Sequence, residues 1–388
     1  MDDHCECFKK WNLSAVKLEP LTAMKGDDVR GIRNGDFRII LSSPETILKK
    51  LWKDVLLSDV YQERLILMCI DEAHCISEWG EDFRTEYRQL HELRSILCCP
   101  VMILTATSTD AVTNDIFKHL HLSQRDTEIV FKTPDRPNIY IDFVKAEHST
   151  MEKKLKWLID HIISKGALSK KTIIYCRSID RVSDIFLTLR ETLGRHSYAD
   201  GIADSEHLIV EMFHRLTHES SKQRILKNFK KTHGYLRCVV ATIALGMGIQ
   251  IGDIDLVVHI GCPNSVISYW QEAGRCARDG RPGYSFVLFD NFTMSQRNTS
   301  KDIKLIVQNM NNQCIRQLIL QYFRPHKLNE MIFYESTICD GCDDEFCQCQ
   351  ACLCCSVCIL KCPCNIRNEF GVVKFLEMCD GPFDHIFQ

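Results

Sequence analysis

An acidic tetrad follows an apolar run in the first quarter of the chain. Asp71, Glu72, Ala73 and His74 come directly after residues 65–70, all of them apolar. Such a run predicts a buried parallel strand. Carboxylates at the carboxyl end of a strand lie at the mouth of an α/β sheet, where one can hold Mg²⁺ on nucleotide phosphates and the other can orient a water. The tetrad therefore predicts a nucleotide-hydrolysing site, with a solvated turn as the plain alternative.

The segment after the tetrad is rich in aromatic and basic side chains. Five of them fall within ten residues: Trp79, Phe83, Arg84, Tyr87 and Arg88. Bases stack on aromatic faces and phosphates pair with guanidinium groups, so the segment predicts an element that binds single-stranded nucleic acid. The alternative is an amphipathic segment that buries its aromatic residues in the core at near-helical spacing.

A pair of arginines lies far downstream, after the strand-like run 256–260. Arg275 and Arg278 stand three residues apart, one turn beyond Gln271. On a helix this spacing predicts two guanidinium groups on one face, where they can stabilise charge on a transferring phosphoryl group. Two surface arginines in salt bridges are the alternative.

Together these segments resemble one helicase family. The DEAH tetrad followed by CISEWGEDFRTEYR resembles the aromatic-rich loop of the RecQ family of superfamily 2 DNA helicases. Further segments are similar to its later motifs in the same order: the triplet 105–107, the strand 172–177, the glycine-containing stretch 239–249 and the segment 269–280. The resemblance covers residues 37–358.

The resemblance implies an activity, ligands and a location. It implies an ATP-dependent 3′ to 5′ helicase that unwinds DNA in recombination and repair, in the nucleus, with ATP, Mg²⁺ and Zn²⁺ as cofactors. Its DNA partners are single strands and duplex junctions. The catalytic residues implied are Asp71 on Mg²⁺, Glu72 as general base, His74 as a relay, and Arg278 as arginine finger supported by Arg275 and Gln271. The DNA contacts implied are Trp79, Phe83, Arg84, Thr105, Thr107 and Thr242.

The chain departs from the family at the phosphate-binding loop. No G-x-x-x-x-G-K-[ST] segment precedes the tetrad, so we expect an amino-terminally truncated first lobe and impaired ATP hydrolysis. The nearest look-alike, residues 166–172, lacks the second glycine and leads into a strand, so we reject it. Gln250 stands where the family has aspartate. Ala277 stands where many members have glycine, and we expect no consequence there.

Two explanations of this departure stay open. The chain is an incomplete version of a full helicase, or it is a non-catalytic nucleic-acid-binding or scaffold protein that keeps the helicase fold. The retained acidic tetrad and arginine pair favour the first explanation.

Composition adds few constraints on function. The formal net charge of -3 over 388 residues means that DNA binding depends on local basic groups. No apolar run of 18 residues exists, and the polar segment 1–7 does not resemble a signal peptide. We therefore expect an intracellular protein.

Cysteine is the compositional outlier. Ten of the 22 cysteines fall between Cys339 and Cys364, a clustering that predicts zinc in an intracellular protein. The family resemblance implies that a helix contributes Cys314, and the predicted partners are Cys339, Cys342 and Cys347. An alternative register uses Cys352, Cys355 and Cys358. Two zinc ions, or cysteines without a metal role, are the other interpretations.

The predicted fold class is α/β. We expect two RecA-like parallel-sheet lobes, the first incomplete, at 1–134 and 135–295, followed by a small helical, cysteine-rich zinc-binding region at 296–388. Strands are predicted at 37–42, 65–70, 101–104, 127–131, 139–143, 172–176, 237–241, 255–260 and 285–289. Helices are predicted at 84–96, 151–164, 179–193, 219–230 and, as one continuous helix, 301–322.

Overall fold

A computed structural model describes most of the chain in two compact units. The described residues are 2–78, 85–147, 151–246, 251–310, 313–323, 353–361 and 371–380. The first unit runs to Pro134 and also includes Phe323, and the second contains the other described residues from Asp135 onward. No helix within these ranges is long and apolar enough to cross a bilayer.

The first unit alternates short strands with short helices. Its elements are α1 (Asp2–Lys10), β1 (Ala15–Lys17), α2 (Gly26–Asn34), β2 (Ile39–Leu41), α3 (Pro44–Ile47), α4 (Lys50–Leu56), α5 (Asp59–Arg64), β3 (Met68–Ile70), α6 (Cys75–Glu78), α7 (His91–Ile96), β4 (Val101–Ile103) and α8 (Asp110–His119). β1 pairs with β2 and β3 pairs with β4, both in parallel. Two separate two-stranded sheets result.

The run before the acidic tetrad is less buried than predicted. Only Ile70 of β3 is in the core, whereas Ile66 is 85% exposed and Cys69 is exposed. On the neighbouring strand Met102 is 46% exposed. The prediction of a buried strand was wrong here, because a parallel strand is buried only when layers cover both faces of its sheet, and among the described residues one face of this sheet is uncovered.

The predicted strand at 127–131 is absent. Residues 127–131 have no regular structure, and Ile129 and Val130 are 64% and 87% exposed. β-propensity reflects packing on a neighbouring strand more than an intrinsic backbone preference. Among the described strands none pairs with this segment, so its apolar residues do not form a strand.

The second unit is built on one parallel sheet. Its elements are β5 (Ile139–Lys145), α9 (Lys156–Lys165), β6 (Thr172–Cys176), α10 (Ile179–Leu193), β7 (Val210–Phe213), α11 (Glu219–Lys230), β8 (Cys238–Ala241), β9 (Leu256–Ile260), α12 (Val266–Ala273), β10 (Gly283–Phe289), α13 (Asn291–Ser295), α14 (Lys301–Asn309), α15 (Ile315–Tyr322) and α16 (Val372–Asp380). The strand order is β5-β10-β9-β6-β8-β7.

Continuous apolar runs form the centre of this sheet. Every residue of β6, β9 and β10 is buried, as expected when helices cover both faces of a parallel sheet. One apolar cluster includes Ile174 and Leu189, and a second includes Val239 and Phe229. The predicted α/β fold class is confirmed.

The helical region after the sheet differs from the prediction. Residues 301–322 form two helices, α14 and α15, instead of one, so Cys314 precedes a helix. A continuous apolar period does not register such a break. Further on, Phe375 of α16 packs on Tyr284 of β10 with ring centroids 5.1 Å apart.

Candidate functional site

The acidic tetrad begins immediately after β3. Asp71 and Glu72 are both exposed, and the Glu72 N–H donates to the Asp71 carboxylate at 2.9 Å. Glu72 has φ of 50°, a left-handed conformation that non-glycine residues seldom adopt and that tends to occur at functional sites. An exposed carboxylate with an oxygen beyond this bond suits a hard cation such as Mg²⁺.

Main-chain bonds fasten the tetrad to the end of β4. The Leu104 N–H donates to the Ile70 carbonyl at 2.8 Å, and the Ala73 N–H donates to the Leu104 carbonyl at 3.0 Å. Because parallel strands end at the same edge, these bonds hold the tetrad beside the threonine turn that follows β4.

His74 is the buried link between these two segments. It is 3% exposed, and its Nδ1 lies 3.3 Å from Thr105 Oγ1 and 3.4 Å from Glu72 Oε2. Burial lowers the pKa of His74 to about 4, although the nearby Asp71 carboxylate opposes this shift. The imidazole is therefore neutral at neutral pH, and it connects the exposed Glu72 with the threonine turn.

The threonine turn faces the interior. The Thr107 N–H donates to Thr105 Oγ1 at 3.3 Å, and Thr107 is 2% exposed. A direct contact of the Thr107 side chain with DNA would require this turn to open. In the structure as it stands, Thr105 and Thr107 serve the connection with His74.

The aromatic-rich segment is only partly described. Trp79, Phe83 and Arg84 lie outside the described residues. Tyr87 is 8% exposed, and the Arg88 Nε donates to the Ile76 carbonyl at 3.2 Å. For Tyr87 the structure shows the packing alternative.

The predicted arginine pair lies in turns instead of on a helix. α12 ends at Ala273, so both Arg275 and Arg278 follow it. The prediction that a helix face carries them was wrong. The chain turns at Gly274 and reaches φ of 48° at Ala277, which an α-helix does not contain. Gln271 stands within α12.

A third arginine clamps this turn. The Arg136 guanidinium donates to the carbonyls of Gly274, Cys276 and Ala277 at 2.9, 3.1 and 2.9 Å. The Asn138 amide also donates to the Ala277 carbonyl, at 3.0 Å. Neither Arg136 nor Asn138 belongs to the residues predicted from the sequence to form the site. The only signal was their place in the proline-containing segment that precedes β5.

Buried aromatic and ionisable groups underlie the same turn. Tyr175 and His259 are register partners on β6 and β9, and their rings stack with centroids 5.5 Å apart. The His259 Nε2 lies 2.9 Å from the Glu272 carboxylate on α12. Burial raises the pKa of Tyr175, although the positive charge of the Arg275 guanidinium opposes this rise. These contacts connect the sheet with the residues on both sides of Gly274.

Thr242 lies where β8 ends. Its hydroxyl accepts a weak hydrogen bond from the Ala244 N–H at 3.4 Å, and the residue is half-buried. Residues 247–250, with Gln250, lie outside the described residues. Of the glycine-containing stretch, the structure therefore describes only the amino-terminal part.

The rejected phosphate-loop look-alike has a structural role. Lys171 is 1% exposed, and its Nζ lies 2.8 Å from the Asp253 carboxylate and 2.9 Å from the Phe229 carbonyl. A lysine fixed in this way cannot reach a nucleotide phosphate, and the segment leads into β6. The rejection of residues 166–172 is confirmed.

The side chains of four cysteines in the second unit lie close together. The Sγ atoms of Cys314, Cys354, Cys355 and Cys358 all lie within 4.8 Å of one another. The Sγ of Cys314 is 3.4 Å from that of Cys354 and 3.9 Å from that of Cys355. Four thiolates at about 2.3 Å from a tetrahedral zinc stand about 3.8 Å apart. The cluster fits zinc.

This cluster overlaps only partly with the predicted ligand sets. It contains Cys314 and two members of the alternative register, together with Cys354, which we did not predict. Cys339, Cys342, Cys347 and Cys352 lie outside the described residues. The regular C-x₂-C spacing favoured Cys352 as a ligand, whereas the structure uses Cys354, which is adjacent to Cys355 in the sequence.

Local structure favours metal binding by Cys314. The residue directly precedes α15, and the Gln317 N–H points at its Sγ at 3.5 Å, so the amino-terminal end of the helix favours a thiolate. A hydrogen bond with the Cys354 thiol lowers the pKa of Cys314. The thiolate is the form that binds metal.

The cysteine segment 353–361 also covers an edge of the sheet. The Ile141 N–H donates to the Cys354 carbonyl at 3.2 Å, and the Ser356 N–H donates to the Ile141 carbonyl at 2.9 Å. Ile141 lies on the edge strand β5. Nearby, the buried Arg316 donates to the Asp135 carboxylate at 2.7 Å and to the Ile139 carbonyl. The cysteine segment and the edge strand are thus joined by main-chain hydrogen bonds.

Comparisons with known proteins agree with this arrangement. The family model described as "DEAD/DEAH box helicase" matches residues 1–116, and "Helicase conserved C-terminal domain" matches 153–280. S. cerevisiae Dbp5 bound to RNA and ADP BeF3 has a TM-score of 0.56 at 16% identity, over 84% of this chain and 72% of that one. This similarity shows that the fold is that of the two RecA-like lobes of a helicase.

Sequence relatives narrow the class. The ATP-dependent helicase wrn-1 of Caenorhabditis elegans is 31% identical over 82% of this chain and 29% of its own length. The ATP-dependent DNA helicase RecQ of Pasteurella multocida is 32% identical over 67% of this chain and 37% of its own length. The chain belongs to the RecQ family of superfamily 2 helicases. It spans well under half the length of these two relatives.

Proposed function

We propose that this chain is the motor region of an ATP-dependent DNA helicase that moves 3′ to 5′ along one strand, in recombination and repair in the nucleus. Asp71 would hold Mg²⁺, which would neutralise phosphate charge when bound, and Glu72 takes the proton of the attacking water. Arg278, assisted by Arg275 and Gln271, stabilises charge on the transferring phosphoryl group. The proposal is supported by the names of two relatives of this chain, both of which are ATP-dependent helicases.

One observation carries the proposal. The exposed Glu72 carboxylate contacts buried His74, and the same imidazole contacts Thr105 after β4. His74 lies between the proposed catalytic carboxylate of Glu72 and the turn that follows β4. A neutral histidine in this position suits a relay that transmits the presence of bound nucleotide from Glu72 to that turn. A solvated acidic turn has no need of a buried histidine.

The absent phosphate loop limits the activity that we expect from this polypeptide. The loop supplies backbone N–H groups and a lysine to the β and γ phosphates. Residues 1–388 contain no such segment. We therefore propose that this chain binds single-stranded DNA through the segment 79–84 and Thr242 but hydrolyses ATP slowly.

Zinc is the proposed structural metal. Cys314, Cys354, Cys355 and Cys358 would hold it, because four sulfurs at these separations fit its tetrahedral preference. When bound, zinc crosslinks the segment 353–361 to the start of α15 and so supplies folding stability.

The test is ATP hydrolysis by purified residues 1–388, with and without single-stranded DNA. We expect a rate close to background and little stimulation by DNA, together with measurable DNA binding. Glu72→Gln should abolish any residual hydrolysis, whereas Glu63→Gln, which changes an exposed glutamate in the same unit, should leave it unchanged. Residual hydrolysis that is insensitive to Glu72→Gln would contradict the assigned catalytic base.

A second candidate is a non-catalytic nucleic-acid-binding or scaffold protein with the helicase fold. The absence of a phosphate loop from residues 1–388 favours this candidate. The two candidates differ in whether nucleotide changes DNA affinity. A motor region should bind single-stranded DNA with different affinity when Mg·ATP is added, because His74 couples the two functions. DNA affinity that is the same with and without Mg·ATP would favour the scaffold.

A further inference from the structure

A cavity of about 290 Å³ lies in the first unit, at the amino-terminal end of β4. It lies at the opposite end of the strand pair from the acidic tetrad. Its wall includes His91, Arg94, Cys99, Leu120 and His121. Nothing in the proposed helicase function uses this cavity.

The two histidines in the wall lie close enough together to share one ion. Their ring centroids are 4.7 Å apart and their planes are inclined by 45°. Two imidazoles bound to one tetrahedral metal, with metal–nitrogen bonds of about 2.0 to 2.1 Å, have centroids about 5 Å apart. The observed separation therefore needs little adjustment.

A hydrogen bond to a main-chain carbonyl fixes the tautomer of the His91 ring. The His91 Nδ1 lies 2.8 Å from the Arg88 carbonyl, an acceptor, so Nδ1 carries the proton and donates it. Neutral His91 then has its lone pair on Nε2. This is the usual arrangement of a metal-binding histidine, whose second nitrogen donates to a carbonyl or carboxylate.

His121 occupies a backbone position that suits glycine better. It has φ of 51° directly after α8 and its cap residue Leu120. The Leu122 N–H donates to the Phe117 carbonyl at 2.9 Å and the His121 N–H points at the Lys118 carbonyl at 3.4 Å, the pattern of a Schellman helix end. A histidine here costs stability relative to glycine, so its side chain is a candidate for a function.

The helix end beside the cavity already has a cation, so the imidazole lone pairs, and not the surrounding charge, would hold a metal ion. The cavity lies at the carboxyl-terminal end of α8, where the helix dipole is negative. The guanidinium of Arg94 is directed to this helix end, since its Nη1 donates to the Leu120 and His121 carbonyls at 3.1 and 2.6 Å. These bonds also hold the His121 backbone in place.

We propose that His91 and His121 bind one divalent transition-metal ion of the kind that prefers imidazole, such as Zn²⁺ or Ni²⁺. Among the described residues no further histidine, cysteine, aspartate or glutamate completes a compact set of three with them, so water would fill the other positions on a bound ion. The cavity is large enough for that water. This site is separate from the cysteine cluster and independent of ATP chemistry.

The test is Ni²⁺ titration by calorimetry of residues 1–388 whose cysteine cluster has first been saturated with zinc. We expect the parent protein to bind one Ni²⁺ per chain at this site, in a saturable manner. His91→Gln and His121→Gly should each weaken binding at least tenfold, because even loss of an outer-shell partner costs 10- to 100-fold. His233→Gln, which changes an exposed histidine of the second unit, should leave this site unchanged.

His121→Gly distinguishes metal binding from a structural role. Glycine relieves the left-handed backbone conformation, so the metal-free variant should unfold at a temperature equal to or higher than that of the parent protein while Ni²⁺ binding is lost. Binding that is unchanged in both variants would overturn the proposal. So would inorganic phosphate binding that both variants abolish without any Ni²⁺ site.

Discussion

At the scale of single residues, His74 has the most sharply defined chemistry. Its buried imidazole connects the Glu72 carboxylate with the Thr105 hydroxyl. Burial lowers its pKa from 6.5 to about 4, so the folded protein resists protonation of this ring more than the unfolded chain does.

This shift predicts a loss of stability in mild acid. Above pH 6.5 the ring is neutral in both states and the full stability is present. As the pH falls from 6.5 toward 4, the unfolded state binds the proton first and the free energy of unfolding decreases, by about 3 kcal/mol in all. Chemical denaturation at pH 7 and pH 4.5 measures it.

His74→Gln should flatten this pH dependence, whereas His233→Gln at an exposed site should not. An identical pH dependence in the parent protein and His74→Gln would contradict the assignment. Other acidic groups add their own contributions, so the difference between the two variants is the informative quantity.

Arg136 supports the turn that carries the arginine pair, and its removal should be costly. Arg136→Ala removes the guanidinium donor from three carbonyls, of which that of Ala277 keeps the Asn138 amide, and should lower the free energy of unfolding by about 1 to 3 kcal/mol. Arg136→Lys should recover only part of it, because a lysine lacks the planar fork. Arg125→Ala, at an exposed arginine, is the matched control and should change stability by less than about 0.5 kcal/mol.

Ala277 illustrates why a glycine can be replaced at low cost. Its φ of 48° strains an alanine by about 1 kcal/mol. Its methyl group is 1% exposed within a buried apolar cluster, which contributes about 0.8 kcal/mol. The two effects nearly cancel, and they give a physical basis for the expectation that this departure has no consequence.

At the scale of elements, prediction succeeded where the sequence and the surroundings agree. The bounds of β6, α10 and α11 match those predicted. β6 has helices on both faces of its sheet, and the Ser178 hydroxyl caps α10 by accepting the Arg181 N–H. Such local signals are present in the sequence itself.

Prediction failed where an element depends on distant partners. The run before the tetrad and the segment 127–131 are both apolar, yet neither has the neighbours that would bury it. The positions of Arg136 and Cys354 likewise depend on contacts made over 138 and 40 residues of sequence. Spacing within one segment cannot reveal them.

The cysteine segment 353–361 predicts a link between metal and self-association. With zinc removed by a chelator, the segment should leave β5 and expose an unpaired strand edge, which promotes edge-to-edge association. Light scattering during chelation should rise as zinc is released. Cys355→Ser should reproduce this behaviour without chelator, whereas Cys98→Ser, at an exposed cysteine outside the cluster, should not. A monodisperse metal-free protein would contradict this role.

At the scale of the whole molecule, the charge constrains the proposed binding of DNA. The formal net charge is -3, so long-range attraction would contribute little and local phosphate contacts would supply the affinity. The logarithm of the affinity for single-stranded DNA should fall linearly with the logarithm of salt concentration, by about 0.7 for each contacted phosphate. Fluorescence anisotropy measures this slope, and binding that does not vary with salt would contradict the proposed basic contacts.

The two units also differ in the amount of sheet that they contain. Among the described residues the second has six paired strands, and the first has two pairs of three-residue strands. Two-stranded pairs are marginal by themselves, so backbone amides of the first unit should exchange with deuterium well before those of the second. The carboxylates of Asp71 and Glu72, for which we propose a hydrolytic role, thus belong to the unit that we expect to open more readily, and a bound ligand that protects those amides would be detectable by mass spectrometry.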